Sequence, residues 1–189
     1  MKRKTYSFIS AMVILVFFGA LPAFATTIGI QPAIKDVVLG QIFILDVTIS
    51  DVTDLYAFQF DVGFDPAVLS AQSISEGIFL PGGGSTDFIP GSIDNASGVV
   101  TNTADVLLGP VNGVSGNGTL ASLFFTALNL GSSPITLSNV ILVDSQLSDI
   151  SSGIQHGSVI VSVVPEPATL FLLTVGLAGI GMVRRKRKK

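Results

Sequence analysis

Apolar and polar residues alternate with a period of two through much of the chain between residues 26 and 164. The first clear example is the set Phe43, Leu45, Val47 and Ile49, whose members are separated by mostly polar neighbours. Successive side chains of a β-strand point to opposite faces, so such alternation is typical of a strand with one buried face. The pattern therefore predicts a strand over residues 43–50.

A second alternating run follows the polar stretch 51–54 and predicts a separate strand that ends at Asp65-Pro66. Its inward face is predicted to be rich in aromatic rings and to consist of Tyr56, Phe58, Phe60, Val62 and Phe64. Proline has no backbone N–H and cannot continue a central strand, which explains the end of the run. No segment before the C-terminal tail has a helical period, although residues 65–69 are compatible with one helical turn.

Several shorter strands complete the pattern. They are predicted at residues 68–72, 99–106, 121–127, 135–143 and 159–164. Asn112-Gly113 and Asn117-Gly118 are turn signals, and Pro81 to Ser85 is predicted to be a flexible loop. Many short strands separated by Gly, Pro, Asn and Ser clusters predict an all-β fold, an antiparallel β-sandwich.

Three segments resemble a cohesin domain, in the order that family shows. They are Val38 to Gln41 (V-L-G-Q), Leu55 to Leu69 (L-Y-A-F-Q-F-D-V-G-F-D-P-A-V-L) and Gly118 to Ala127 (G-T-L-A-S-L-F-F-T-A). The resemblance spans residues 27–163 and implies a nine-stranded jelly-roll β-sandwich, related in fold to some carbohydrate-binding modules. It also implies a dockerin-like partner, although no dockerin-binding residue set can be mapped onto this chain.

The N-terminus has the three parts of a secretory signal peptide. Lys2 to Lys4 are basic, Phe8 to Leu21 are mostly apolar, and the A-x-A site for signal peptidase is formed by Ala23 and Ala25. We predict that residues 1–25 are removed and that the mature chain starts at Thr26. An N-terminal transmembrane helix is the alternative interpretation.

The C-terminus combines a proline-rich motif, an apolar segment and a basic tail. The motif is Val164, Pro165, Glu166 and Pro167, and the tail is Arg184, Arg185, Lys186, Arg187, Lys188 and Lys189. The uncharged segment 168–183 would span about 24 Å as a helix, somewhat less than the ~30 Å hydrocarbon core. The basic tail would hold its end in the cytoplasm. The sequence therefore predicts a single, short transmembrane helix at the C-terminus.

This composite over residues 165–189 resembles the PEP-CTERM sorting signal. The resemblance implies an exosortase as a partner, transient anchoring in the inner membrane, and transfer to the cell surface or extracellular matrix of a bacterium that makes extracellular polysaccharide. An ordinary tail anchor, with Pro165 to Pro167 as a rigid linker, is the alternative.

Charge separates the predicted mature domain from both ends. Residues 26–164 contain twelve acids and a single Lys or Arg, Lys35, so their net charge is −11. So acidic a domain does not attract nucleic acid, and we predict no nucleic-acid partner. The chain contains no cysteine, which excludes disulfides, thiolate zinc sites and cysteine nucleophiles.

The remaining chemistry indicates no catalytic site and no cofactor. His156 is the single histidine, so a histidine-based triad or zinc cluster is not expected, and we predict a polar loop residue. A calcium site is the open alternative for the carboxylates, and its candidates are Asp51, Asp54, Asp61 and Asp65. The sequons at Asn95 and Asn117 are explained by turn chemistry.

These observations predict an exported, surface-sorted, non-enzymatic protein that binds a partner or builds matrix through a cohesin-like domain at residues 26–164. Association with extracellular polysaccharide or biofilm follows from the sorting resemblance. The alternative is a carbohydrate-binding module, which exposed aromatic rings would favour, and residues 26–164 contain no Trp and one Tyr, Tyr56. A polysaccharide-acting enzyme with two aspartates in a cleft is the second alternative.

Overall fold

The computed structural model describes residues 25–163, which form ten β-strands and one short 3-10 turn at Leu80–Gly83. The strands are β1 Thr27–Gln31, β2 Ile34–Val38, β3 Ile42–Gly63, β4 Leu69–Glu76, β5 Ser92–Asp94, β6 Val99–Val106, β7 Val114–Ala127, β8 Gly131–Asp144, β9 Gly153–Gln155 and β10 Gly157–Ser162. No helix among these residues is long and apolar enough to cross a membrane. The predicted signal peptide and C-terminal helix lie outside the described residues.

The strands form two layers, and the long strand β3 belongs to both. The first layer has the order β9-β1-β3-β7-β4 and uses residues 42–49 of β3. The second layer has the order β2-β10-β8-β3-β6-β5 and uses residues 57–63 of β3. The all-β sandwich predicted from the sequence is therefore confirmed.

The two alternating runs place their apolar residues in the space between the layers. Phe60 and Val62 are fully buried, and Leu45 and Val47 are at most 1% exposed. Burying one such side chain stabilises the fold by about 1.5–3 kcal/mol. The inward face predicted for residues 121–127 is also confirmed, and its buried members are Ala121, Leu123, Phe125 and Ala127.

Strand β3 is one continuous element, so the prediction of two separate strands was wrong. The polar stretch 51–54 bends the strand without ending it. Asp51 and Asp54 adopt left-handed backbone conformations, with φ of 55° and 62°. Aspartate tolerates this region better than most residues. The two bends carry β3 from the first layer to the second.

The antiparallel prediction fails for two strand pairs, since β1 pairs with β9 and β10 pairs with β2 in parallel. β2 and β9 are edge strands. Each meets a partner from the other end of the chain, so no tight hairpin imposes an antiparallel pairing on them.

Asn117-Gly118 is not a turn, because both residues lie inside β7. Gly118 is required there by packing, since a Cβ atom would come within 2.5 Å of the Phe79 ring. Asn112-Gly113 lies immediately before β7 and does not close a hairpin. The predicted loop at residues 81–85 overlaps the 3-10 turn, and the strand predicted at 68–72 extends to Glu76.

Candidate functional site

The central part of the second layer presents an apolar surface to solvent. In β3, Phe58 and Phe60 point inward, so Ala57 before them and Gln59 between them point outward. Residues directly opposite each other in neighbouring strands share a face. The outward residues of β6 and β8 beside them are Ala104, Val106, Ile141 and Val143. We call this surface the outer face.

Residues 85–89, which we call the edge segment, form a wall along one side of the outer face. The Asp87 amide donates to the Val106 carbonyl at 2.9 Å. Ile89 and Ala104 exchange two backbone hydrogen bonds of 2.8 and 2.9 Å. The edge segment therefore continues the sheet beyond β6 as an irregular strand, and the Ile89 side chain remains 53% exposed.

The edge segment and the outer face enclose a shallow, mainly apolar depression of about 210 Å³. Ala57 and Ala104 contribute to its lining, together with Ile89 and Ile141, and Asp87 supplies a carboxylate. An apolar cavity of about 150 Å³ can hold a benzene molecule, so this depression can receive one large apolar side chain.

Asp61 lies beside the depression and ties three strands together. Its carboxylate accepts a hydrogen bond from the Asn102 amide of β6 at 2.7 Å and another from the Asn139 side chain of β8. Both asparagines have positive φ, and the strand register shifts beside Asp61 on both sides. Asp61 therefore holds two local irregularities that curve the sheet.

Asp105 is the polar group that the sequence analysis missed. It lies in β6 opposite Phe58, and it is 2% exposed. Desolvation, and then the charge of the nearby Glu76 carboxylate, raise the pKa of Asp105 to about 7. Its Oδ1 accepts from the Val106 amide, whereas Oδ2 has no hydrogen-bond partner.

A bulge explains why strict alternation gave no signal for Asp105. Val100 points inward, and alternation from it would place residues 102, 104 and 106 inward as well. The extra residue beside Asp61 reverses the order, so Thr103 and Asp105 are buried instead. A shift of one residue moves every following side chain to the opposite face.

The four aspartates considered for calcium do not come together. Asp61 bridges two strands as described, and Asp65 accepts from the Ala67 amide in a local turn. Asp51 and Asp54 serve the two bends of β3. Among residues 25–163 no group of three or more acidic or histidine side chains is arranged to hold a metal ion.

Asp54 anchors the second bend of β3. Its carboxylate accepts from the Gly113 amide at 2.7 Å and from the Ser145 hydroxyl at 2.6 Å. The Ser145 hydrogen bond is the main reason why the pKa of Asp54 is lowered. This interaction therefore stabilises the fold above the usual aspartate pKa and is lost as the pH falls through the lowered value.

His156 and the two sequon asparagines have structural roles. His156 lies between β9 and β10, as predicted, and its Nδ1 accepts from the Leu137 amide at 3.1 Å. The Asn95 side chain forms two hydrogen bonds with the backbone of Ala71, which joins β4 to the turn before β6. The Asn117 side chain accepts from the Asp51 amide at the first bend of β3.

The sorting and processing residues predicted from the sequence lie almost entirely outside the described residues. Ala25 is the first described residue and is exposed. The others are Ala23, Val164 to Pro167 and Arg184 to Lys189.

The two-layer arrangement, with β3 shared between the layers, defines the described domain as an all-β sandwich module. The cohesin domain family matches residues 33–161, so this chain belongs to the cohesin family. Cohesin domains are non-catalytic modules for protein–protein interaction. The PEP-CTERM protein-sorting motif matches residues 163–188. The chain therefore combines an interaction module with a sorting motif.

Solved cohesin structures show the same fold at low sequence identity. A non-cellulosomal cohesin from Archaeoglobus fulgidus is 16% identical, with a TM-score of 0.60 over 78% of this chain and 98% of that chain. The sixth cohesin of scaffoldin B from Acetivibrio cellulolyticus, solved with a dockerin, is 18% identical, with a TM-score of 0.59 over 74% of this chain and 100% of that chain. A cohesin from Clostridium thermocellum, also solved with a dockerin, is 13% identical, with a TM-score of 0.60 over 74% of this chain and 100% of that chain. The curated proteins contain no match to this chain.

Proposed function

We propose that this protein is exported, processed at both ends, and displayed at the cell surface as a non-catalytic cohesin module that binds a dockerin-like protein. Signal peptidase cuts after Ala25, and an exosortase recognises the motif Val164 to Pro167 during transient anchoring in the inner membrane. The mature domain then acts among extracellular polysaccharide. The cohesin domain and the PEP-CTERM motif support this order of events.

The apolar depression on the outer face carries the proposal of a binding site. Its floor is formed by three hydrogen-bonded strands, so the floor is in place before a partner arrives, which reduces the entropy cost of binding. An apolar side chain of the partner fills the depression, as anchors do at the centres of protein interfaces.

The charges around the depression indicate which partner fits best. Asp87 lies at its rim, and residues 26–164 carry a net charge of −11. A partner surface with an apolar anchor flanked by Lys or Arg complements this arrangement. Complementary charges also speed the encounter between the two proteins at low salt.

The test is a binding titration of the mature protein against purified dockerin domains from the organism that makes it. Ala57→Arg places a long cation in the middle of the depression and should weaken binding about 100-fold, because the guanidinium blocks the anchor site and is desolvated. Ile44→Arg is the matched control, since it is also an outward position of β3 but lies in the first layer.

The control variant should bind as the unmodified protein does. Equal weakening by both variants would contradict the assignment of the outer face. An absence of binding to every dockerin domain of the organism would contradict the proposed class of partner.

A further inference from the structure

The buried carboxyl group of Asp105 and the partly exposed carboxyl group of Glu76 form a pair beside the edge segment. Asp105 is almost fully buried, and its Oδ2 has no hydrogen-bond partner. The Asp105 carboxyl lies within hydrogen-bonding reach of the Glu76 carboxyl at the end of β4. A proton on one of the two groups would complete a hydrogen bond between them and remove the unpaired oxygen.

The groups that face this pair include no cation to balance two negative charges. Asp87, from the edge segment, adds a third negative charge nearby. The one Lys or Arg among residues 25–163 is Lys35 in β2, which lies four strands from β6 in the second layer. At about 4.8 Å per strand that separation is about 19 Å. Repulsion between the carboxylates is therefore relieved by a proton.

The pair is connected to the edge segment. The Thr86 hydroxyl donates a hydrogen bond to the Glu76 carboxylate. Beside it, the Ser85 carbonyl accepts from the Leu108 amide at 2.8 Å, and the Asp87 amide donates to the Val106 carbonyl. A change in the charge of the pair therefore acts on the segment that forms one wall of the depression.

We propose that Asp105 and Glu76 share one proton that fastens the edge segment to β6, so that loss of this proton loosens the wall of the outer-face depression. The consequence for partner binding rests on the proposed function, whereas the fastening itself is a property of the free domain. The protein thus has a proton-dependent latch at the border of its outer face.

The direction of the pH dependence follows from the raised pKa of Asp105. Its carboxyl keeps a proton up to about pH 7 when the segment is fastened, and loses it near pH 4 once exposed to water. Opening therefore releases one proton at intermediate pH. The segment is held most tightly below about pH 4, and its opening equilibrium rises about tenfold per pH unit until about pH 7, where it levels off.

The test is hydrogen–deuterium exchange of the full chain in non-ionic detergent, read by mass spectrometry on peptides covering residues 85–89 from pH 4.5 to 8.5. After correction for intrinsic exchange rates, protection should fall about tenfold per pH unit between pH 5 and pH 7. Asp105→Asn should abolish this slope, because its neutral amide donates to Glu76 at every pH. Glu76→Gln removes the neighbouring charge but leaves Asp105 buried and titratable, so protection should level off at a lower pH than in the unmodified protein. It serves as the second variant if Asp105→Asn does not fold.

Asp36→Asn is the matched control, since it removes one negative charge from the exposed edge strand β2 and should retain the slope. Parallel slopes in the unmodified protein and in Asp105→Asn would overturn the proposal. No partner is present in this experiment, so its failure is distinguishable from a failure of the proposed function.

Discussion

At the level of single residues, Phe60 is the centre of the packed core. Its ring is fully buried, and its centroid lies 5.7 Å from that of Phe58. Phe60→Ala removes most of this contact and leaves a cavity, so we expect a loss of about 3–5 kcal/mol in the free energy of unfolding. Urea denaturation of residues 26–164 followed by circular dichroism measures the change.

The control for this substitution is Ile42→Ala, which truncates an aliphatic side chain that is 68% exposed. We expect a change of about 0.5 kcal/mol or less. A similarly small loss for Phe60→Ala would contradict the assignment of the inward face.

Some polar side chains form hydrogen bonds with a strand that the backbone of a neighbouring strand would usually form. The Asn95 amide pairs with both the N–H and the C=O of Ala71, as a neighbouring strand would. The Asp61 carboxylate likewise accepts hydrogen bonds from β6 and from β8 at the points where the register of these strands shifts. These polar residues close gaps in the hydrogen bonding of the sheets, so their presence at strand borders is structural.

At the level of secondary structure elements, the two bends of β3 differ in what their aspartates do. The amide of Asp51 is bound by the Asn117 side chain, whereas Asp54 also uses its carboxylate, on Gly113 and Ser145. Asp51→Gly should therefore be tolerated, because glycine adopts the left-handed conformation without strain and no carboxylate contact is lost.

Asp54→Gly should lower the melting temperature clearly below that of Asp51→Gly, although both relieve the same kind of backbone strain. Differential scanning calorimetry at pH 7 compares the two variants. At acidic pH, as the carboxylate of Asp54 becomes protonated through its lowered pKa, the difference between them should shrink. Equal melting temperatures at pH 7 would contradict the anchoring role of the Asp54 carboxylate.

Alternation along the chain was sufficient to predict the interior of the sandwich. The inward faces beginning at Phe43, Phe58 and Ala121 were predicted because a buried strand needs apolar residues at every second position. The inward position predicted for Tyr56 was wrong, since Tyr56 is half-buried and Leu55 beside it is fully buried. The bounds of β6, Val99–Val106, were also predicted correctly.

Irregular features could not be predicted in this way. The polar stretch 51–54 predicted a break between two strands, whereas the bends at Asp51 and Asp54 keep β3 continuous. The bulge beside Asp61 turns Asp105 inward. Short edge strands such as β9 and β2 bury few residues, so they carry little alternation. The depression on the outer face depends on which strands become neighbours, and that is a consequence of long-range pairing.

At the level of the whole molecule, the sorting motif and the basic tail should have separable effects. Replacing Pro165, Glu166 and Pro167 with Ala should leave the protein inserted in the inner membrane but uncut. Replacing Arg184 to Lys189 with Ser should release uncut protein from that membrane, because the short apolar segment then lacks its cytoplasmic charges, each of which costs about 2.5–3.5 kcal/mol at the membrane centre. Cell fractionation with an antibody to the sandwich domain measures both outcomes.

Gln72→Ala is the control for expression and export of a variant protein, since Gln72 is an exposed residue of β4 within the sandwich domain. Its product should be cut and displayed normally, with an intact mass that starts at Thr26 and lacks the basic tail. Normal processing of both C-terminal variants would contradict the sorting proposal.

The position of β10 has a mechanical consequence. It is the last strand before the chain continues past Val163, and it is flanked on both sides, by β2 and β8, with five aligned residue pairs in each ladder. A pull along the strand axis from the C-terminal end loads both ladders in shear, so their hydrogen bonds share the force and do not unzip one after another. A tether attached here lets the sandwich withstand drag while it remains folded.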